Sequence, residues 1–186
     1  MKQLFELGCS YSAELLSLTK ALGQLQDAGN VTTLSSYLNI LDQCHLLTSL
    51  QKYANDEARR YQSVPKYQVY NNALLTAYKG TTFEKDRTDT TKWGRWVESA
   101  VGAYLVGGAE EGGYKVCYWH EHSDEVDFIL VRKGEAVAME VKSGRRGMNS
   151  GLPTFYERFR PRRALVIGTD GIPFPEFFRM NMEDLF

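Results

Sequence analysis

Apolar residues recur at helical spacing near the start of the chain and predict two helices there. The first helix ends near Gly23, and the second spans residues 31–44 with Thr32 or Thr33 as its N-cap. The stripe positions are Leu15, Leu16, Leu18 and Leu22 in the first helix, and Leu34, Tyr37, Leu38 and Leu41 in the second.

Two strand patterns follow at residues 45–53 and 66–70. Two helices joined by a tight turn and followed by a two-stranded ribbon predict a winged helix-turn-helix over residues 1–80. Such domains often read DNA with their second helix. Here that helix carries Asp42 as its only charge, which favours a protein-contact or spacer role.

The second half alternates between helical and strand patterns. The polar residues 81–92 predict a linker or long loop, and residues 93–186 predict a second domain. A helix at 93–106 ends at Gly107, strands follow at 114–120, 125–132 and 135–142, and a short helix near 154–159 precedes a strand at 163–168. This order is typical of an α/β fold.

The hairpin between the second and third of these strands brings two acids together. A two-residue turn at 133–134 pairs Arg132 with Glu135, and the same register places Asp127 directly opposite Glu140. Opposed side chains lie about 5 Å apart, and like charges there are destabilising. Two carboxylates among apolar neighbours need a counter-charge, or one of them must hold a proton.

Lys142 lies two residues beyond Glu140 and therefore projects from the same face, where it supplies one positive charge. A divalent cation such as Mg²⁺ or Mn²⁺ would supply two more, and a buried carboxylate–lysine pair without metal is the alternative. Glu98 lies on the flank of the apolar stripe of helix 93–106 and reaches the same edge, unless it is an ordinary boundary glutamate. Metal-bound carboxylates beside a lysine suit phosphodiester hydrolysis.

Composition limits the classes of protein. The chain has 186 residues, of which 43% are hydrophobic, so one domain or two small ones can bury a core. It shows no apolar run of membrane-spanning length and no signal-peptide pattern. Three widely spaced cysteines, Cys9, Cys44 and Cys117, suit reduced thiols and a cytoplasmic location.

The net charge of −1 gives no global nucleic-acid signature, but positive charge is concentrated near the C-terminus. Residues 145–163 contain six arginines and a single acid, Glu157. The cluster predicts phosphate contacts with nucleic acid, with a solvated basic surface as the alternative. Its members are Arg145, Arg146, Arg158, Arg160, Arg162 and Arg163.

Asp127 followed by Glu140-Val141-Lys142 resembles the signature of the PD-(D/E)XK, or restriction-endonuclease-like, superfamily. Further segments come in the order seen in the domain of unknown function at the C-terminus of prokaryotic AAA-type ATPases. These segments are residues 33–41, 65–72, 94–98, 118–119, 124–129 and 139–143. The resemblance implies a winged helix followed by a restriction-endonuclease-like α/β domain with a mixed central sheet, and it adds Glu98 to the metal and catalytic residues.

The resemblance also implies a partner. Those ATPases carry a P-loop domain ahead of this region, whereas the motif GxxxxGK[ST] does not occur in these residues. We therefore expect the C-terminal portion of a longer ATPase, which would bind ATP only through a domain that this chain does not contain. The function implied is metal-dependent hydrolysis of DNA or RNA, and the alternative is a non-catalytic module that binds nucleic acid or protein.

Overall fold

A six-stranded mixed sheet runs through the chain. The computed structural model describes residues 1–27, 29–54, 63–80, 82–144 and 151–186. In chain order the elements are α1 (Lys2–Ser10), α2 (Leu18–Leu22), α3 (Val31–Gln43), β1 (Leu47–Lys52), β2 (Lys66–Val69), α4 (Ala73–Lys79), α5 (Phe83–Thr88), α6 (Thr90–Gly107), α7 (Ala109–Gly112), β3 (Lys115–Glu121), β4 (Asp124–Arg132), β5 (Glu135–Lys142), α8 (Leu152–Phe159), β6 (Arg163–Gly168), α9 (Phe174–Phe177) and a 3₁₀ turn at Met182–Leu185.

The order of strands across the sheet is β2-β1-β3-β4-β5-β6. The pairs β1–β2, β3–β4 and β4–β5 are antiparallel, whereas β1–β3 and β5–β6 are parallel. The predicted two-stranded ribbon is present as β1 and β2. Because β1 also pairs with β3, through Gln51–Cys117 and Lys52–Tyr118, the ribbon continues the sheet of the second half.

The start of the chain differs from the sequence prediction. A helix from Leu15 is wrong, because residues 13–16 lie alongside β2 and make backbone hydrogen bonds to it and to Pro65. The amide of Ala13 donates to the carbonyl of Tyr67 at 2.8 Å, and Leu15 forms an antiparallel bridge with Lys66. Only α2 remains of the predicted helix, and Ser17 caps its first turn. The preceding helix α1 has no counterpart in the prediction.

Polar side chains decide where two later helices begin. Asn30 caps α3 by accepting from the amide of Thr33 at 2.9 Å, so the predicted cap at Thr32 or Thr33 is wrong by two or three positions. Asp89 caps α6 by accepting from the amides of Thr91 and Lys92. Within the predicted linker, residues 83–88 form α5, so this stretch is largely helical instead of a loop.

The β4–β5 hairpin has the predicted turn and register. Lys133 and Gly134 both adopt positive φ, 50° and 85°, as a two-residue type I′ turn requires. The pairs run from Arg132–Glu135 to Phe128–Met139, which confirms the register up to one step before the expected Asp127–Glu140 pair.

A bulge interrupts the β3–β4 ladder next to Asp127. Cys117 pairs with Ile129 and Trp119 pairs with Val126, so two residues of β4 oppose the single residue between them on β3. Val126 and Ile129 consequently share one core although they lie three positions apart. Phe128 joins the core on the other face. The bulge thus changes which side chains β4 presents to each face.

Helices cover both faces of the sheet. Val101 and Leu105 of α6 pack with Phe128 and Met139 on one face, together with Phe177 near the C-terminus. On the other face α8 supplies Leu152 and Phe155 against Trp119 and Ile129. A third core, built on Leu34, Leu38 and Tyr67, holds the first segment together.

Replacing Leu50 by alanine should destabilise the whole chain. Leu50 is 4% exposed and carries β1 into the core formed mostly by the second half. We expect Leu50→Ala to cost about 2–5 kcal/mol of unfolding free energy because it leaves a cavity.

Urea unfolding followed by circular dichroism and tryptophan fluorescence measures this cost. Ile40→Ala is the matched control, because Ile40 is 44% exposed and should lose less than about 1 kcal/mol. If the chain unfolded in two separate transitions and Leu50→Ala lowered the midpoint of only one of them, a core shared by the two halves would be contradicted.

Candidate functional site

One edge of the sheet collects the charged residues of five strands. The ends of β1 and β3 meet the start of β4 there, as the pairs Lys52–Tyr118 and His120–Glu125 show. The end of β5 lies at the same edge because β5 is antiparallel to β4. The edge therefore holds Asp127 and Lys142, which the sequence analysis expected to lie together.

A buried lysine occupies the centre of the acidic residues. The side chain of Lys66 is 1% exposed, and its Nζ lies 2.5 Å from Glu98 Oε1, 3.2 Å from Glu125 Oε1 and 4.0 Å from Asp127 Oδ1. It also donates to the backbone carbonyl of Asp127 at 3.4 Å and lies 5.3 Å from the ring centroid of Phe128. We call these residues, Lys66 with Glu98, Glu125 and Asp127, the acidic centre.

Close packing of α6 against β2 brings Glu98 to Lys66. A Cβ on Gly102 would lie 2.1 Å from Gln68 Oε1, so only glycine allows this approach. Gln68 Nε2 fixes the contact by donating to the carbonyl of Ser99 at 2.9 Å. Glu98 precedes Gly102 by one helical turn and therefore faces the same strand.

The start of β4 is also fixed by a close backbone contact. The amide of Gly151 donates to the carbonyl of Glu125 at 3.0 Å, and a Cβ at Gly151 would lie 2.5 Å from that same oxygen. Asp127 Oδ2 accepts from the amide of Val141 at 2.7 Å. The carboxylate of Asp127 thus bonds to the β5 backbone just beyond the last β4–β5 pair, Phe128–Met139.

Glu140 and Lys142 form a second ion pair at the same edge. Lys142 Nζ lies 2.5 Å from Glu140 Oε1, which confirms that the two side chains share a face. Glu140 is 6% exposed, and its Oε2 has no hydrogen-bond partner among the described residues. A buried carboxylate oxygen without a donor is costly and is free to accept a cation or a proton.

Burial and mutual repulsion raise the pKa values of these acids. Burial raises the pKa of Glu98 to about 8, although Lys66 offsets part of the effect. Burial and the nearby charge of Asp127 raise the pKa of Glu140 to about 7. Burial likewise raises the pKa of Asp127. Burial alone would lower the pKa of Lys66, but the surrounding carboxylates outweigh it and hold that pKa above its ordinary value.

The charges at this edge leave room for one divalent cation. Four carboxylates face two ammonium groups, which is a formal excess of two negative charges when all are ionised. Oxygen donors of this kind suit Mg²⁺ or Mn²⁺. Oxygens of Glu98, Glu125 and Asp127 lie within 4.8 Å of one another, but Lys66 already lies among them. In the described part of the chain, Oε2 of Glu140 is a further buried carboxylate oxygen that no hydrogen-bond donor occupies.

The structure brings together the four residues predicted for the site and adds two. Lys66 was missed because all four residues of β2 are buried, so polar and apolar residues do not alternate along the strand. A lysine in a buried strand nevertheless indicates a nearby carboxylate. Glu125 was missed although it lies two positions before Asp127, the spacing that places strand residues on one face. The predicted metal ligand Glu98 contacts Lys66 instead of the Glu140–Lys142 pair.

The predicted arginine cluster is dispersed. Arg158 pairs with Glu121, and Arg162 binds both oxygens of Glu135 at 2.8 and 3.0 Å. Glu135 is five residues from Glu140 along β5, which corresponds to about 17 Å. Arg160 lies over the ring of Tyr156, Arg163 is exposed at the start of β6, and Arg145 and Arg146 lie outside the described residues.

Two family models match the chain. Residues 93–178 match a domain of unknown function, DUF4143, which is found at the C-termini of AAA-type ATPases. This agrees with the resemblance noted for the second half of the sequence. Residues 1–85 match a different model, also a domain of unknown function, DUF8612. No curated protein and no solved structure matches the chain. Among the described residues, no helix has the length and apolar character needed to span a membrane.

Replacing Lys66 by methionine should destabilise the fold strongly. The change keeps much of the volume but leaves three carboxylates around an uncharged group. We expect a loss of about 3–5 kcal/mol at pH 8 and a smaller loss at pH 5, where the acids take up protons.

Urea unfolding at both pH values measures this loss. Lys92→Met is the matched control, because the Lys92–Asp89 pair is exposed and should contribute less than about 1 kcal/mol. Equal stability of Lys66→Met and the unmodified chain at pH 8 would rule out an essential counter-charge.

Glu140 should make the chain less stable as the pH rises. Its pKa is about 7 in the folded chain and near the ordinary 4.5 in the unfolded one, so the folded state binds more protons between these values. The loss of unfolding free energy caused by Glu140 is absent below about pH 4.5 and grows through this window. It is complete above about pH 7, where it amounts to about 3 kcal/mol.

Glu140→Gln removes this titration, so its unfolding free energy should fall less between pH 5 and pH 8 than that of the unmodified chain. Chemical unfolding across this range gives the slope. The control is Glu176→Gln, at an exposed position of α9, which should keep the original slope. A parallel pH dependence in the Glu140→Gln chain would show that Glu140 is not the responsible group.

Proposed function

We propose that this chain is a nuclease-like module in which Asp127, Glu140 and Lys142, assisted by Glu98, carry out metal-dependent phosphodiester hydrolysis of DNA or RNA. The observation that carries the proposal is the excess of negative charge in this group of four carboxylates and two ammonium groups. In it Glu140 pairs with Lys142 through Oε1 and keeps Oε2 unpartnered in the described part of the chain. Such a site attracts a divalent cation and presents an ammonium group next to it.

The order of elements supports a restriction-endonuclease-like domain. Helix α6 is followed by the antiparallel strands β3, β4 and β5, and α8 then crosses over to β6, parallel to β5. Asp127 lies near the start of β4 and Glu140 near the end of β5, on the same sheet edge. A mixed central sheet is what the PD-(D/E)XK resemblance implies, so this arrangement supports the proposal.

Each residue has a role that its contacts support. Asp127 and Glu140 would hold Mg²⁺ or Mn²⁺, which when bound would polarise the phosphodiester. Lys142, fixed by Glu140 Oε1, would orient the attacking water and stabilise negative charge on the phosphate. Water forms a new P–O bond, the bond to the leaving oxygen breaks, and that oxygen takes up a proton. Glu98 would act indirectly by fixing Lys66 beside Asp127.

The first segment supports a winged helix attached to this domain. The segment begins with helix α1, and residues 13–16 then lie alongside β2. Helices α2 and α3 come next, and the ribbon of β1 and β2 follows them. The exposed side of α3 carries no lysine or arginine, so we expect this unit to contact protein more than DNA. An AAA-type ATPase domain of the same full-length protein is the partner we propose, in keeping with the DUF4143 match.

A second candidate is a regulatory module of the ATPase that binds nucleic acid or protein and does not cut. Lys66 favours it, because a permanently bound ammonium group already neutralises part of the acidic centre. A site compensated by its own lysine can be stable without metal.

Cleavage assays with metal titrations distinguish the two candidates. For a nuclease we expect Mn²⁺ or Mg²⁺ binding by calorimetry and cleavage of labelled single-stranded DNA, duplex DNA or RNA. Asp127→Asn should weaken metal binding, and Lys142→Met should lower the cleavage rate at least about 100-fold while metal binding persists.

The control is Glu176→Gln, at an exposed position of α9. It should change neither metal binding nor the cleavage rate. Circular dichroism of each variant checks that it is folded. Full-length ATPase and the chain alone should both be assayed. Intact substrates with both metals, together with measurable nucleic-acid binding, would overturn the nuclease proposal in favour of the regulatory module.

A further inference from the structure

A cavity of about 480 Å³ opens beside the acidic centre. Its polar lining comes from Ser17, Lys20, Lys52, Ser63 and His120, and its apolar wall comes from Leu15, Val64 and Tyr118. We call it the basic pocket. Three segments distant in sequence, α2 and the ends of β1 and β3, therefore meet around one space.

The pocket carries positive charge that no carboxylate in the described part of the chain neutralises. Among its described lining residues there is no aspartate or glutamate. Neither Lys20 nor Lys52 has a carboxylate of a described residue within ion-pair distance. Arg158 and Arg162, by contrast, are each paired with a glutamate. Unpaired ammonium groups around a cavity indicate a site for an anion.

The pocket and the acidic centre share the same sheet edge. His120 of the pocket pairs with Glu125 of the acidic centre in the β3–β4 register, and Lys52 pairs with Tyr118 in the β1–β3 register. Leu15 forms a backbone bridge with Lys66 itself. A ligand in the pocket would therefore lie next to the acidic centre and not at the far end of the sheet.

The chemistry of the lining fits phosphate. Ammonium and hydroxyl groups donate to phosphate oxygens, and an aromatic or aliphatic wall accommodates a sugar or base. The predicted arginine cluster offers less, because two of its described members are paired and Arg162 lies toward the hairpin turn. Lysines that contact phosphates contribute affinity that falls with salt concentration.

We propose that the basic pocket binds a phosphate group of the nucleic-acid backbone and guides a strand to the acidic centre. The proposal rests on the proposed function for its ligand, since nucleic acid is the substrate class expected there. It assigns to Lys20 and Lys52 the role first predicted for the arginines. Binding by this pocket does not require cleavage, so the two proposals can fail separately.

Fluorescence anisotropy with a labelled single-stranded oligonucleotide, in buffer containing EDTA, tests the pocket without chemistry. The double variant Lys20→Glu, Lys52→Glu should bind at least about tenfold more weakly than the unmodified chain at low salt. The slope of log affinity against log salt should also become shallower by about 1.4, the value for two lost phosphate contacts on a single strand.

The matched control is Lys85→Glu, Lys133→Asp, which changes the net charge equally at exposed positions outside the pocket. Aspartate is chosen at position 133 because the backbone there has positive φ, which aspartate tolerates. The control should bind within about twofold of the unmodified chain, and thermal unfolding should show that both double variants are folded. Equal losses in both double variants, or no nucleic-acid binding by the unmodified chain, would overturn the proposal.

Competition experiments distinguish the source of the phosphate. If the pocket binds a nucleic-acid strand, inorganic phosphate and adenosine monophosphate should displace the oligonucleotide only at concentrations far above that of the oligonucleotide. If the pocket variant loses affinity for adenosine monophosphate but keeps its affinity for the oligonucleotide, the pocket is a nucleotide site and the proposal is wrong. If binding follows the expectation but no substrate is cut, the nuclease proposal fails and the pocket stands.

Discussion

The arrangement of this chain depends on one buried ammonium group. Lys66 belongs to the first half of the sequence, whereas Glu98, Glu125 and Asp127 belong to the second. A lysine with 1% of its side chain exposed is tolerated only when carboxylates compensate it, so the two halves must meet in one geometry. The glycine at 102 allows that geometry, because it lets α6 approach β2 closely.

The same ion group limits what the site can do. Lys66 uses the space among three carboxylates and offsets one of their three charges, whereas Lys142 offsets the charge of Glu140. An added cation would therefore bind at the edge of a centre that is already partly neutral. The raised pKa of Glu140 and its unpartnered oxygen express the same excess charge, which either a proton or a metal ion can relieve. The proposed nuclease requires the metal ion at this position, whereas the proposed regulatory module does not.

Positive charge on the surface is arranged differently from its distribution in the sequence. The arginines of residues 158–163 are close in sequence, but the chain turns between α8 and β6, and nearby glutamates pair with two of them. Lys20 and Lys52 are 32 positions apart in sequence, yet they line one cavity next to the acidic centre. Charge that matters for a polyanion is the unpaired charge that shares a surface with the reactive groups, and sequence clustering reports neither property.

The sequence by itself determined the elements whose causes are local. The two-residue turn fixed the β4–β5 register, apolar and β-branched residues gave β5 and β6 their bounds, and spacing predicted that Glu140 and Lys142 share a face. Tertiary structure decided the path of residues 13–16 alongside β2, the join between β1 and β3, and the choice of Lys66 as counter-ion. Those features depend on contacts between residues far apart in the chain, where backbone pairing and the cost of a buried charge outweigh local preference.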